Sequence, residues 1–291
     1  MLILISDPFA PDLPEKLAPF GEVTDDKGRL AEAEVALVRS KTKCTAQWMD
    51  EAPGMKLIIR GGVGLDNVDL GEAEKRGIQV HNTPAASAVA VAELTLALML
   101  ALPNHLVKGH NAMAGGKWIK KELKRTELFR KTLGLLGVGR IGTEVARRCA
   151  AFGMDVLAYD PYVEKHEIAA MVGLEEMLGK ADYISLHMPL LDSTRGMVNA
   201  DLIGRMKEGV RIVNCGRGGC IDEADMKAAL ESGKVAGYGT DVWLSDPPAP
   251  DCPLLSAPNT VMLPHIGAST KENLLRIGDI IVEILTEYTS K

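Results

Sequence analysis

The chain has 291 residues, 46% of them hydrophobic and 25% charged, with a formal net charge of −6. That length accommodates two domains, and the composition is ordinary for a globular protein. The acidic balance argues against a general nucleic-acid or anionic-membrane binder. Five cysteines, at 44, 149, 215, 220 and 252, form no C-x-x-C pair and read as reduced thiols in a cytoplasmic protein. The opening MLILISD is an apolar strand without a basic leader, so no signal peptide is expected.

In chain order, Leu2–Ile5 reads as a strand, Leu13–Leu17 as a helix, Val35–Val38 as a strand ending at Arg39, and Leu57–Ile59 as a strand ending at Arg60. Asp69–Arg76 is a predicted helix stopped by Gly77, and Ile78–Val80 a strand leading to Asn82, Thr83 and Pro84. Repeated strand–helix units imply a parallel sheet, with ligand groups at the carboxyl ends of its strands. Arg39, Arg60 and the loop Gly61-Gly62-Val63-Gly64 lie at such ends. A long apolar helix is expected from Ala85 toward Pro103, too short and interrupted to span a bilayer, resuming toward Met113. The polar, basic segment Gly115–Arg130 is read as a linker or subunit contact.

Lys131–Asp160 holds the most specific local pattern. A strand at Leu133–Leu136 is followed by Gly137, Gly139 and Gly142 in the spacing G-x-G-x-x-G, a helix over Ile141–Phe152, and a strand over Met154–Tyr159 that ends on Asp160. Gly137 allows the tight turn, Gly139 lets a pyrophosphate approach the backbone, and Gly142 lets the helix pack close to the strand. The helix N-terminus favours phosphate charge. Asp160, 18 residues after Gly142, can accept hydrogen bonds from ribose hydroxyls and would repel a 2′-phosphate, so NAD is expected rather than NADP. The alternation then continues: helix Leu174–Leu178, strand Tyr183–His187, helix Asn199–Met206, strand Val210–Asn214, helix Asp222–Ser232, strand Val235–Asp241, a proline-rich loop over 244–259, strand Val261–Leu263 and a closing helix Ala268–Glu287.

Together GVGRIG, NCGRGG (214–219), GTDVWLSDPP (239–248) and PHIGAST (264–270) resemble the D-isomer-specific 2-hydroxyacid dehydrogenases. RGGVGLDNVDL (60–70), NTP (82–84), AELT (92–95) and GKW (116–118) extend the likeness over essentially the whole chain. PHIGAST, DNVDL and GKW look closest to the phosphoglycerate dehydrogenase branch. The resemblance implies an α/β fold of two Rossmann-like parallel-sheet domains with an active-site cleft between them. Residues 1–83 with 269–291 would form a flavodoxin-like substrate domain, and 84–268 the NAD-binding domain. It also implies a homodimer through the cofactor domains and, since the chain stops after one closing helix, no C-terminal extension and no control by serine through one.

The reaction implied is NAD-dependent interconversion of a D-2-hydroxy acid and a 2-oxo acid, with 3-phosphoglycerate and 3-phosphohydroxypyruvate as first choice. A glyoxylate/hydroxypyruvate reductase or D-lactate-type enzyme is the alternative, and an NAD-sensing corepressor-like binding protein the alternative of another class. Arg217, after a strand and two small residues, can clamp a carboxylate in a bidentate way and polarise the carbonyl. His265 is the acid/base, because imidazole titrates near neutrality. His187 also ends a strand and is read as structural.

Asp246 stands where the family has a glutamate paired with the histidine and is one methylene shorter, so the loop moves inward, a water bridges or the coupling is weaker. Carried over from the family as cofactor contacts are Gly137, Gly139, Arg140, Ile141, Gly142, Asp160, Cys215, Gly216, Arg217, Asp241, His265, Gly267 and Ala268. Asp241 matches a residue at the nicotinamide end, its alternative being a helix- or loop-capping acid. Val63 and Met188 replace threonines common in the phosphoglycerate branch. Substrate contacts are expected from Arg39, Arg60, Gly62, Val63, Gly64, Arg217 and His265, with Lys41 and Lys43 behind Arg39. The alternative for Arg39 and Arg60 is strand capping or pairing with Asp66 and Asp69. No metal site is suggested, since no two histidines share ligand spacing on one element.

Overall fold

The computed structural model describes residues 1–290. The chain forms two compact units, Met1–Ala90 with Ala268–Lys291, and Val91–Gly267. The strands are β1 (Leu2–Ile5), β2 (Glu22–Thr24), β3 (Val35–Val38), β4 (Leu57–Arg60), β5 (Gln79–Asn82), β6 (Thr132–Leu136), β7 (Asp155–Tyr159), β8 (Ala170–Met171), β9 (Tyr183–Leu186), β10 (Val210–Asn214), β11 (Val235–Thr240) and β12 (Thr260–Met262). The helices are α1 (Leu13–Leu17), α2 (Ala46–Asp50), α3 (Leu70–Lys75), α4 (Ala88–Ala101), α5 (Leu106–Ala114), α6 (Arg140–Ala151), α7 (Leu174–Lys180), α8 (Ala200–Gly204), α9 (Glu223–Ser232) and α10 (Lys271–Thr289).

In the first unit five parallel strands run in the order β2-β1-β3-β4-β5. This is the flavodoxin-like order, whose connections reverse direction between β1 and β3. The central strands are apolar on both faces because both are covered. Ile3, Val35, Leu37, Leu57 and Ile59 pack with Ile277, Ile281 and Leu285 of α10. Leu4, Ala36, Val38 and Ile58 pack on the other face with Met49 and Ala73. The last segment thus returns to complete the core of the first.

In the second unit seven parallel strands run β12-β11-β10-β9-β6-β7-β8. Counted from β6, the order reverses between β6 and β9, which is the doubly wound dinucleotide-binding topology. One face buries Leu133, Leu135, Val145, Ala146 and Cys149 with Leu98 and Met99 of α4. The other buries Leu136, Ile184, Leu186, Ile212 and Tyr238 with residues of α7, α8 and α9.

Two strands were not expected. β2 is three residues long and only partly buried, and β8 is two residues, so neither carries an apolar run that a pattern could reveal. The helix expected over Ala85–Pro103 with a resumption is α4 followed by α5. The division between the units falls in the first turn of α4 rather than at Thr83. Among the described residues no single helix is long and apolar enough to cross a membrane.

Candidate active site

The glycine turn of the second unit connects β6 to α6. Gly137 has φ +90°, a left-handed value that favours glycine, and a Cβ there would also lie 2.9 Å from the His187 carbonyl carbon. A Cβ on Gly142 would lie 2.5 Å from the Gly137 oxygen, so helix and turn close only without it. Gly139 differs: a Cβ there would meet no heavy atom within 4 Å. Open space therefore faces the first turn of α6, where the N–H groups of Arg140 and Ile141 have no intrahelical acceptor. A pyrophosphate fits such a place by charge and by access.

Asp160, half-buried past the end of β7, accepts hydrogen bonds from the Val138 N–H at 3.1 Å and the Tyr162 N–H at 3.0 Å. The acid is thereby tied to the glycine turn, with acceptor capacity left for ribose hydroxyls. A residue that sequence reasoning passed over supports this corner. His166 Nδ1 accepts from the N–H groups of Ile168 (3.2 Å) and Ala169 (3.0 Å). Its proton must then be on Nε2, which lies 3.0 Å from Thr143 Oγ1. The loop after Asp160 is thus pinned to the first turns of α6. The only prior signal was a histidine shortly after the acid.

At the far edge of the same sheet, β11 and β12 end side by side, and their following loops carry Asp241, Asp246 and His265. His265 has φ +56°, uncommon for a residue with a Cβ and characteristic of functional sites. Two carboxylates hold it. Asp246 Oδ2 is hydrogen-bonded directly to His265 Nδ1. Asp241, buried, accepts from the N–H groups of Ile266 at 2.8 Å and Gly267 at 2.6 Å. Burial pushes the Asp241 carboxyl up, against the two N–H donors and the imidazole that favour its charged form. Trp243 Nε1 donates to the Leu263 carbonyl at 3.0 Å, anchoring one loop to the strand end of the other.

The shorter aspartate at 246 therefore reaches the ring directly, at Nδ1. Asp241, expected at the nicotinamide end, is engaged as the acid that caps the histidine's turn. Arg217 follows β10 in a turn shaped by Asn214, whose Oδ1 accepts from Gly216 N–H at 3.0 Å and whose Nδ2 donates to the Arg217 carbonyl at 3.0 Å. Arg217 Nη1 donates to the Gly216 carbonyl at 2.8 Å, and the residue remains partly accessible.

Cys215 and His187 face inward. The Cys215 thiol lies in the core, where burial pushes it up to about 12. Any cofactor contact from Cys215 or Gly216 is therefore a backbone contact. His187 Nε2 lies 2.9 Å from Ser185 Oγ, while Nδ1 is buried without a hydrogen-bond partner. Part of the residue reaches solvent but the ring nitrogens do not, and burial pushes the imidazole down to about 4. It is neutral at physiological pH and has the character of a structural histidine.

The first unit positions the remaining candidates. Gly62 has φ +149°, and a Cβ there would lie 1.7 Å from Arg60 Nη1, so the guanidinium lies across the glycine loop only because Gly62 is glycine. The Val63 carbonyl accepts from Asn82 Nδ2 at 2.5 Å, fixing the loop before Gly64. Arg39 is half-buried, with Nη1 and Nη2 each 3.4 Å from a backbone carbonyl, those of Pro8 and Ala268, and with Nε buried without a partner. Burial pushes its guanidinium pKa down, an arrangement an anion would relieve. Asp69 instead caps α3, accepting from the Glu72 N–H at 3.0 Å. Lys41 and Lys43 do not join Arg39: they line a separate cavity.

Residues 96–267 match the family model described as D-isomer specific 2-hydroxyacid dehydrogenase, NAD binding domain. The chain is 47% identical over 257 residues to a hydroxypyruvate reductase of Thermotoga maritima, covering 87% of this chain and 84% of that protein. It is 41% identical over 295 residues to a D-3-phosphoglycerate dehydrogenase of Methanocaldococcus jannaschii, covering 97% of this chain and 56% of that protein. The chain thus spans about half the length of the phosphoglycerate dehydrogenases it matches. Among solved structures, a D-lactate dehydrogenase of Aquifex aeolicus complexed with NAD and lactic acid superposes with a TM-score of 0.88 at 31% identity, covering 100% of this chain and 96% of that one. With the glycine turn, Asp160 beside it and the histidine–aspartate pair in one doubly wound unit, the chain belongs to the D-isomer-specific 2-hydroxyacid dehydrogenases, oxidoreductases that work with NAD.

Proposed function

We propose that the protein reduces 3-phosphohydroxypyruvate, or oxidises 3-phosphoglycerate, with NAD as cofactor. Bound NADH supplies the hydride. Arg217 holds the substrate carboxylate and polarises the 2-oxo group. His265 delivers its Nε2 proton to the oxygen that becomes the hydroxyl, and takes it back in oxidation. Asp246 orients the ring through its Nδ1. Asp241 holds the turn that keeps His265 in place.

The observation that carries the phosphorylated substrate is Arg39, a half-buried guanidinium whose hydrogen bonds, among the described residues, go to backbone carbonyls, at the end of the strand next to the one that ends in Arg60. The relatives named D-3-phosphoglycerate dehydrogenase support the same reading. The Thermotoga maritima relative favours a second, unphosphorylated hydroxypyruvate. Arg39→Ala separates the two: it should raise KM for phosphohydroxypyruvate at least tenfold and for hydroxypyruvate by less than threefold. An equal effect on both acids favours the second reading.

NAD is preferred to NADP because Asp160 would face a 2′-phosphate. A homodimer through the cofactor unit is supported by the exposed Leu106, Val107 and Met113 of α5, with Trp118 and Phe129 following. Sedimentation at micromolar concentration tests it. A cytoplasmic location is supported by five free thiols.

A further inference from the structure

A cavity of about 300 Å³ opens in the first unit, lined by Ser6, Lys27, Leu30, Lys41, Lys43 and Trp48 among others. Ser6 follows β1 and the two later lysines follow β3, so it lies where the order β2-β1-β3-β4-β5 reverses. In open parallel sheets that reversal leaves a crevice at the strand ends where ligands bind. The volume is at the small end for ligand pockets.

Three features make this more than a surface hollow. Lys27, Lys41 and Lys43, all exposed, come from two separate segments and line it, and among the described residues none of their ammonium groups pairs with a carboxylate. In a chain of net charge −6, three unneutralised cations around one cavity repel one another, and a bound anion reverses the sign of that interaction. Second, the loop carrying two of them is fixed. Buried Asp7 accepts from the Arg39 N–H (2.6 Å), the Thr42 N–H (3.2 Å) and Thr42 Oγ1 (2.9 Å), and Asn67 Nδ2 donates to the carbonyls of Arg39 (2.8 Å) and Thr42 (2.7 Å). Third, Leu4, Leu30 and the ring of Trp48 give the cavity an apolar wall that bare phosphate would not use.

Arg39 does not take part. Its guanidinium reaches the carbonyls of Pro8 and Ala268, and it is absent from the lining. We propose that this cavity binds a small organic phosphate dianion, separately from the reacting 2-oxo acid: the phosphate sits among the three ammonium groups and the Ser6 hydroxyl, and the organic body lies against Trp48.

The test is calorimetric titration of the NAD-saturated protein with glycerol phosphate, with inorganic phosphate as the probe lacking an organic body. Glycerol phosphate should bind more tightly than inorganic phosphate. Combining Lys27→Ala, Lys41→Ala and Lys43→Ala should weaken it at least tenfold, and the corresponding triple arginine variant should restore it to within threefold. Equal melting temperatures of the alanine and arginine variants exclude a folding defect as the cause. The proposal is overturned if the alanine variant binds as the unmodified protein does, or if inorganic phosphate binds as tightly as glycerol phosphate.

Discussion

His265 sits in a left-handed backbone conformation, and the two carboxylates that hold it act on different atoms. Asp241 grips the N–H groups that follow it, and Asp246 grips its ring. His265→Ala should lower kcat by roughly 10²- to 10⁴-fold while NAD binding, read by fluorescence, is retained. Asp246 holds the ring in place through Nδ1. Asp246→Asn should therefore lower kcat by roughly tenfold or more with NAD binding retained, since a misdirected imidazole transfers its proton poorly, and an unchanged kcat would assign the pairing role elsewhere.

His187 makes the opposite case. Its folded form titrates at about 4 against an ordinary 6.5, so the unfolded chain binds a proton first. The stability it confers is complete above pH 6.5 and is lost as pH falls toward 4, by up to about 3 kcal/mol. His187→Gln should flatten the acid limb of stability in urea titrations at pH 7 and pH 4.5, with turnover falling much less than in His265→Ala. A variant as acid-sensitive as the unmodified protein would contradict this account.

Elements were legible where their signals were long. The strand, glycine turn, helix and second strand from Lys131 to Asp160 fall within a residue or two of β6, α6 and β7, because a buried parallel strand leaves a continuous apolar run and an amphipathic helix a periodic one. β2 and β8 were not legible, being too short to carry a period. Side-chain direction in β10 was not legible either. With both faces buried, nothing in VRIVN says which way the next residue, Cys215, turns, and it turns into the core. Whether an aspartate could replace the family's glutamate depended on the path of a proline-rich loop, which no local pattern encodes. The tie from Asp160 to Val138 was equally hidden, yet it joins the two halves of the dinucleotide motif. Asp160→Ala should narrow the NAD preference in kcat/KM by tenfold or more. Equal use of NAD and NADP by the unmodified protein would remove the argument.

At the scale of the molecule, the chain folds as two parallel α/β units. The second carries the dinucleotide turn, Arg217 and the His265–Asp246 pair, and the first carries Arg39 and Arg60 at adjacent strand ends. The order β2-β1-β3-β4-β5 could be inferred only through the family resemblance, since strand order follows from long-range pairing. The same is true of the return of α10 to the first unit's core. The lysines after Arg39 seemed from the sequence to reinforce one phosphate clamp, whereas the fold gives them a cavity of their own. The central claim is that this is an NAD-dependent 2-hydroxyacid dehydrogenase whose substrate carries a phosphate. Its most direct test is kcat/KM, followed by NADH absorbance, for phosphohydroxypyruvate, hydroxypyruvate, glyoxylate and pyruvate side by side. The account predicts the highest value for phosphohydroxypyruvate, with the advantage lost in Arg39→Ala; equal or better reduction of the unphosphorylated acids, with Arg39→Ala indifferent between them, would contradict it.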